Sequence, residues 1–302
     1  MELPFLVKLR IAVSLAAGVV LIGILGWPMV GSSDGISIVS FVGGAITNSN
    51  AVVITVLAFA IGLVMYFICW PYGSQIGVLS VPAGLCVWGM RSDSMGTLMQ
   101  MNPALEQRLL VFSVLKWEPL FWLGVCMAGF LGVLVGKLVS GNKFVVEIGK
   151  EQKGFSSNKF ANMGIFLLVS GIVCYILIRL LAQDVRLDDA ELGSVVGQPE
   201  KGQIVFAVFA AFFGAGFVVK KFFGGSYMWP VVISGLLTGV SVLIYVNQGS
   251  MGRLCEHFPA VFFISPILAI LPIQMVSLGI LGAICGFWSA VRYSNWSEQR
   301  TE

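Results

Sequence analysis

Long apolar runs separated by short polar stretches dominate this chain. Runs at or near membrane-crossing length occupy 9–30, 51–69, 75–90, 119–139, 161–182, 204–219, 228–246 and 272–291. A helix rising about 1.5 Å per residue needs about 20 apolar residues to cross a hydrocarbon core about 30 Å thick. The pattern therefore predicts an all-α polytopic membrane bundle of about eight transmembrane helices. The third run is short and carries Pro82, which predicts a kinked or incomplete helix whose freed backbone groups are satisfied by neighbouring helices. A further apolar piece, 259–271 with Pro266, is too short to cross alone. It reads either as a re-entrant segment or as an extension of the last helix.

The same pattern occurs twice. "SMGTLMQMNPAL" from Ser94 returns as "SMGRLCEHFPAV" from Ser250, with Ser, Met, Gly, Leu, Pro and Ala in order. Trp70-Pro71 returns as Trp229-Pro230, and "GVLS" at Gly77–Ser80 returns as "GLLT" at Gly235–Thr238. Gly132-x-x-x-Gly136 in the fourth run parallels Gly282-x-x-x-Gly286 in the last. Ordered matches with slowly drifting offsets are what an old duplication leaves. The expectation is two halves, 1–152 and 153–302, of four spans each. An even number of spans returns the chain to its starting side, so the halves are expected to be parallel, related by an axis along the membrane normal.

Composition removes the soluble alternative: 57% of residues are hydrophobic and 11% charged, with a mean hydropathy of +0.92. The net charge of +3 lies between the apolar runs and points to no nucleic acid. Lys8 and Arg10 ahead of an apolar stretch read as the start of an uncleaved first span. With the N-terminus inside, eleven of the 18 basic residues fall on inner segments, the bias of cytoplasmic loops. The loop 31–50, with Asp34 and no Lys or Arg, and the acidic stretch 183–200 then face outward. Both termini are expected to be cytoplasmic, in a bacterial inner membrane.

Candidate chemistry is sparse. No phosphate loop, dinucleotide fingerprint or zinc-protease helix appears, and no catalytic residue or cofactor is indicated. Five of the six cysteines sit inside apolar runs, as small buried hydrophobes do. The sixth, Cys255, stands beside Glu256 and the lone histidine, His257, in the second copy of the repeated phrase. If the copies meet across the axis, Met95, Met99, Met101, Met251, Cys255 and His257 form a soft-ligand cluster suited to copper(I). The alternative is that Met95, Leu98 and Met99 make one apolar helical face, with Cys255 and His257 ordinary loop residues. After the first copy, Glu106, Arg108, Lys116 and Glu118 are spaced among apolar residues in the manner of an interfacial helix.

No charged residue lies near the middle of any run, which argues against an ion-driven pump. Ser80 and Gln274 are the polar candidates for lining a solute path; otherwise they pack with helix-to-helix or backbone hydrogen bonds. Two functional classes follow. The first is a non-catalytic membrane subunit or scaffold, with membrane lipids and other membrane protein subunits as partners. The second is a passive permease or channel-like transporter for a neutral or lipid-like solute. A metal or lipid enzyme is a third and lesser expectation.

Overall fold

The computed structural model describes residues 4–31, 38–42, 46–141, 159–189, 193–257 and 261–299. Asp34, Lys143, Lys150, Lys153, Glu191 and Arg300, which entered the charge argument, lie outside the described residues, as does the 152/153 boundary between the expected halves.

Among the described residues the protein is helical apart from one short hairpin and the connecting turns, and eight helical segments are long and apolar enough to cross a membrane. The first is α1 (Phe5–Gly18), continued by a π-helical stretch at Val19–Ile24. Helix α2 (Asn48–Ile68) starts at Thr47, whose hydroxyl accepts from the Asn50 amide at 3.2 Å. The third span is broken. Helix α3 (Gly73–Ile76) passes through a 3-10 turn at Gly77–Leu79 into α4 (Ser80–Arg91). The break thus precedes Pro82, which falls in the first turn of α4, where a missing N–H leaves no intrahelical bond unmade.

Two short helices follow, α5 (Met95–Met101) and α6 (Leu105–Leu115), and then the fourth span, α7 (Glu118–Val139). The remaining spans are α8 (Lys159–Leu181), α9 (Lys201–Phe223), α10 (Met228–Tyr245) and α12 (Pro272–Gln299). Between α8 and α9 lies an antiparallel hairpin of β1 (Val185–Asp189) and β2 (Gly193–Gly197), and α11 (Gln248–His257) follows α10. Gly224, at φ 68°, ends α9 in a left-handed turn: its amide and that of Gly225 return to the carbonyls of Lys220 and Val219.

Side-chain contacts sort the connections onto two ends. At the proximal end, which holds both the first and the last described residues, Arg10 lies over the Tyr72 ring, the Tyr66 and Ser140 hydroxyls are 2.8 Å apart, and Lys221 lies over Tyr293. At the distal end, the Val39 amide donates to Ser92, Asn50 donates to the Met29 carbonyl, and the hydroxyls of Tyr175 and Tyr245 are 2.7 Å apart. The spans therefore alternate in direction.

The closest packing is α2 on α7 and α9 on α12. Glycines permit it: a methyl on Gly62 would collide with the Gly129 carbonyl, and one on Gly216 with the Ala283 carbonyl. In cross-section α4 and α12 fill the middle, with 78% of the residues in the apolar stretch of each buried, against 22% for the first and fifth spans. Helix α4 packs on α12, and α7 packs on α10.

The apolar piece before α12 neither crosses nor extends the helix. Its described part makes a 3-10 turn at Pro266–Ala269, and Ile267 through Leu271 are buried against the bundle.

Candidate functional site

The distal end gathers the polar groups that the sequence singled out. In the first copy of the repeated phrase, Ser94 caps α5: its hydroxyl accepts from the Thr97 amide at 3.2 Å. The α5 turn then puts Met95, Leu98 and Met99 on one buried face and leaves Met101 57% exposed. In the second copy the helix begins three residues earlier relative to the phrase, because the Asn247 side chain accepts from the Ser250 amide at 2.8 Å. Met251 is buried, Cys255 half-buried and His257 exposed.

The side chains of the expected copper(I) set differ in burial. Met95 and Met99 belong to the main hydrophobic core, whereas Met101 and His257 face outward. Among the described residues no three His, Cys, Asp or Glu side chains gather closely enough to hold a metal ion. The cause is helical spacing: positions four apart share the apolar face, and Met101 falls off it.

What joins the copies is Arg108. The residue is 5% exposed; its Nε donates to the Asn102 carbonyl at 3.2 Å, its Nη1 donates to Cys255 Sγ at 3.5 Å, and its guanidinium lies 5.4 Å from the Phe262 ring centroid. Arg108 is thus a buried bridge rather than the interfacial charge its spacing suggested.

Glu118 departs from that expectation further. It opens α7 and is 2% exposed, with Ser40 donating to Oε2 at 2.6 Å, the Phe41 amide donating to the same oxygen at 3.4 Å, and Trp122 Nε1 donating to Oε1 at 3.1 Å. A buried carboxylate is tolerated when its lone pairs are met by donors. Here those donors fix the 38–42 segment against α7. The sequence held a signal for this in Glu118-Pro119 followed by Trp122 one turn later.

The two residues expected along a solute path are enclosed. Ser80 is buried, and its hydroxyl donates to the Gly77 carbonyl at 2.8 Å across the break in the third span. Gln274 is 1% exposed; its Nε2 donates to the Gly89 carbonyl at 2.9 Å, and its Oε1 accepts from the Leu271 amide at 3.1 Å. Gly89 lies in the last turn of α4 and Leu271 just precedes α12, so both groups lack intrahelical partners. Gln274 supplies both at once, joining the two central helices end to end.

The described residues do form a cavity of about 160 Å³ elsewhere, at the distal ends of α8 and α10, and neither Ser80 nor Gln274 lines it. Its polar lining includes Arg179 and Asp184, charges that the sequence reading used only to orient the chain.

In comparisons with known proteins, no family model, no curated protein and no solved structure matches this chain.

Proposed function

We propose that the protein is a non-catalytic integral membrane subunit or scaffold of a larger membrane assembly. The observation that carries this reading is the filled centre of the bundle: α4 and α12 lie against each other, and Gln274 ties their distal ends through Gly89. A permease of alternating or open type needs a polar passage between its halves. The candidates for such a passage instead spend their hydrogen bonds on backbone groups. The partner surface in this reading is the apolar outer face of the least buried spans, where Leu9, Leu25, Leu168 and Leu180 stand exposed.

The scaffold consists of two parallel four-span halves, 1–152 and 153–302. Support comes from equivalent packing: the second span of each half lies on the fourth, and the third span of each half lies on the fourth of the other. Gly132 and Gly282 approach Phe59 and Phe209 in the same manner, each meeting a backbone carbonyl of the facing helix. Both termini are assigned to the cytoplasm and the membrane to a bacterial inner membrane, on the distribution of basic residues.

Native mass spectrometry of the particle extracted in mild detergent from its own membrane tests the function. The expected result is a set of partner proteins at fixed stoichiometry. Recovery solely as a monomer or homo-oligomer overturns the subunit reading.

A further inference from the structure

The distal cavity between α8 and α10 carries an inference independent of the subunit reading. It is built from the last turn of α8, the end of α10 and the Ile264–Pro266 segment. Tyr175 and Tyr245 bond across the two helices at 2.7 Å, and Arg179 Nη1 donates to the Tyr175 hydroxyl at 3.0 Å. One guanidinium nitrogen is thereby anchored, which leaves further N–H donors of the five for a ligand. Asp184 also lines the cavity, and no ion pair joins it to Arg179 among the described residues. Partial burial pushes its carboxyl above its ordinary range, a penalty that a neighbouring ammonium would relieve. Ser265, 5% exposed, also lines the cavity, with a hydroxyl that makes no cap bond to the Pro266–Ala269 turn.

The lining therefore offers one anchored guanidinium, one carboxyl, a hydroxyl and a tyrosine edge. Cavities of about 150 Å³ hold a molecule of roughly benzene size, so the 160 Å³ here suits a compact group rather than a large solute. On the proximal side of the cavity Ile176 of α8 and Leu243 of α10 are exposed apolar side chains. Span ends of this kind lie at headgroup depth, with acyl chains along the apolar flank.

We propose that this cavity binds the zwitterionic headgroup of a membrane phospholipid, with Arg179 taking the phosphate and Asp184 the ammonium. The guanidinium fork suits phosphate oxygens. A primary ammonium, as in ethanolamine, presents three N–H donors to the carboxylate and to Ser265.

The test is lipid retention by native mass spectrometry of the full chain, loaded from mixed micelles containing phosphatidylethanolamine and phosphatidylglycerol, which share the phosphate and differ in the amine. The expected result is retention of phosphatidylethanolamine at about tenfold preference, one charge-assisted contact's worth. Asp184→Asn, on an exposed side chain, is expected to erase that preference while retaining phosphatidylglycerol binding; Arg179→Gln is expected to lose both lipids. Because Arg179 also anchors Tyr175, Arg179→Lys serves as its control and is expected to restore part of the retention. Equal retention of the two lipids by the unaltered protein, or a preference that survives Asp184→Asn, overturns the proposal. Soluble glycerophosphoethanolamine, added without lipid, separates the sources: weaker binding than the lipid supports the membrane headgroup, and binding as tight as the lipid overturns it.

Discussion

The two copies of the serine–methionine–glycine phrase agree in burial at the positions of Met95 and Met101, but Leu98 and Met99 are buried where Leu254 and Cys255 are half-buried, and the settings differ. Met95 and Met251 are each 1% exposed, while Met101 and His257 at the equivalent later position both point outward. Yet Ser94 is a helix cap and Ser250 lies inside its helix, because Asn247 takes the capping role in the second copy. The first copy runs on into a segment that buries Arg108 and Glu118; the second runs into an uncharged 3-10 turn held by Gln274. Burial is thus kept at the first apolar position of the repeated phrase and relaxed at the later ones, whereas its polar positions take whichever role the surrounding backbone leaves unfilled.

The strongest way to break this comparison is to remove the polar group that fixes each distal segment. Glu118→Ala leaves the Ser40 hydroxyl, the Phe41 amide and the Trp122 indole without their acceptor, offset in part by removing a buried carboxylate. A loss of about 3 kcal/mol is expected at a typical cost of ~1–3 kcal/mol per orphaned group. Gln274→Leu orphans the Gly89 carbonyl and the Leu271 amide, and about 2–3 kcal/mol is expected on the same scale. Thermal unfolding in one detergent compares the two variants, and midpoints equal to the unaltered protein would remove the claim that these side chains hold the distal end.

A smaller effect sharpens the role of the arginines. Arg108→Ala is expected to cost about 2 kcal/mol, since it strips a buried bridge. Arg253→Ala, on an exposed residue that donates within its own helix to Gly249, is expected to stay within about 0.5 kcal/mol of the unaltered protein. If the two variants melt together, Arg108 does not join the copies.

Smallest is the difference in caps. Ser94→Ala and Asn247→Ala are each expected to cost about 1 kcal/mol, the usual value of a lost N-cap, while Ser250→Ala is expected to cost a few tenths. Urea melts of the three variants read the order directly. A Ser250→Ala cost matching that of Ser94→Ala would show that the two phrases are used in the same way.

Part of the candidate site was open to inspection in the residues. The Met95, Leu98 and Met99 face follows from spacing alone, and the packing alternative offered for Ser80 and Gln274 matches the bonds they make. The Arg108 bridge and the Glu118 cluster were hidden because their partners are distant: Cys255 is 147 positions away and Ser40 is 78. Local charge spacing says that such residues lie near an interface, and says nothing about which backbone or thiol faces them.

The sequence by itself determined the eight segments long and apolar enough to cross, because bilayer thickness converts apolar length directly into a crossing. It also indicated that the third span, which carries Pro82, is broken. Only the tertiary structure decided that α4 and α12 occupy the centre while α1 and α8 lie outside. In a membrane the lipid-facing and protein-facing sides of a helix are both apolar, so hydrophobic periodicity, which marks the inside of a soluble protein, loses its contrast. The inner faces are selected instead by close backbone approach at glycines and by a few polar side chains reaching orphaned backbone groups, and those partners exist only once the bundle has formed.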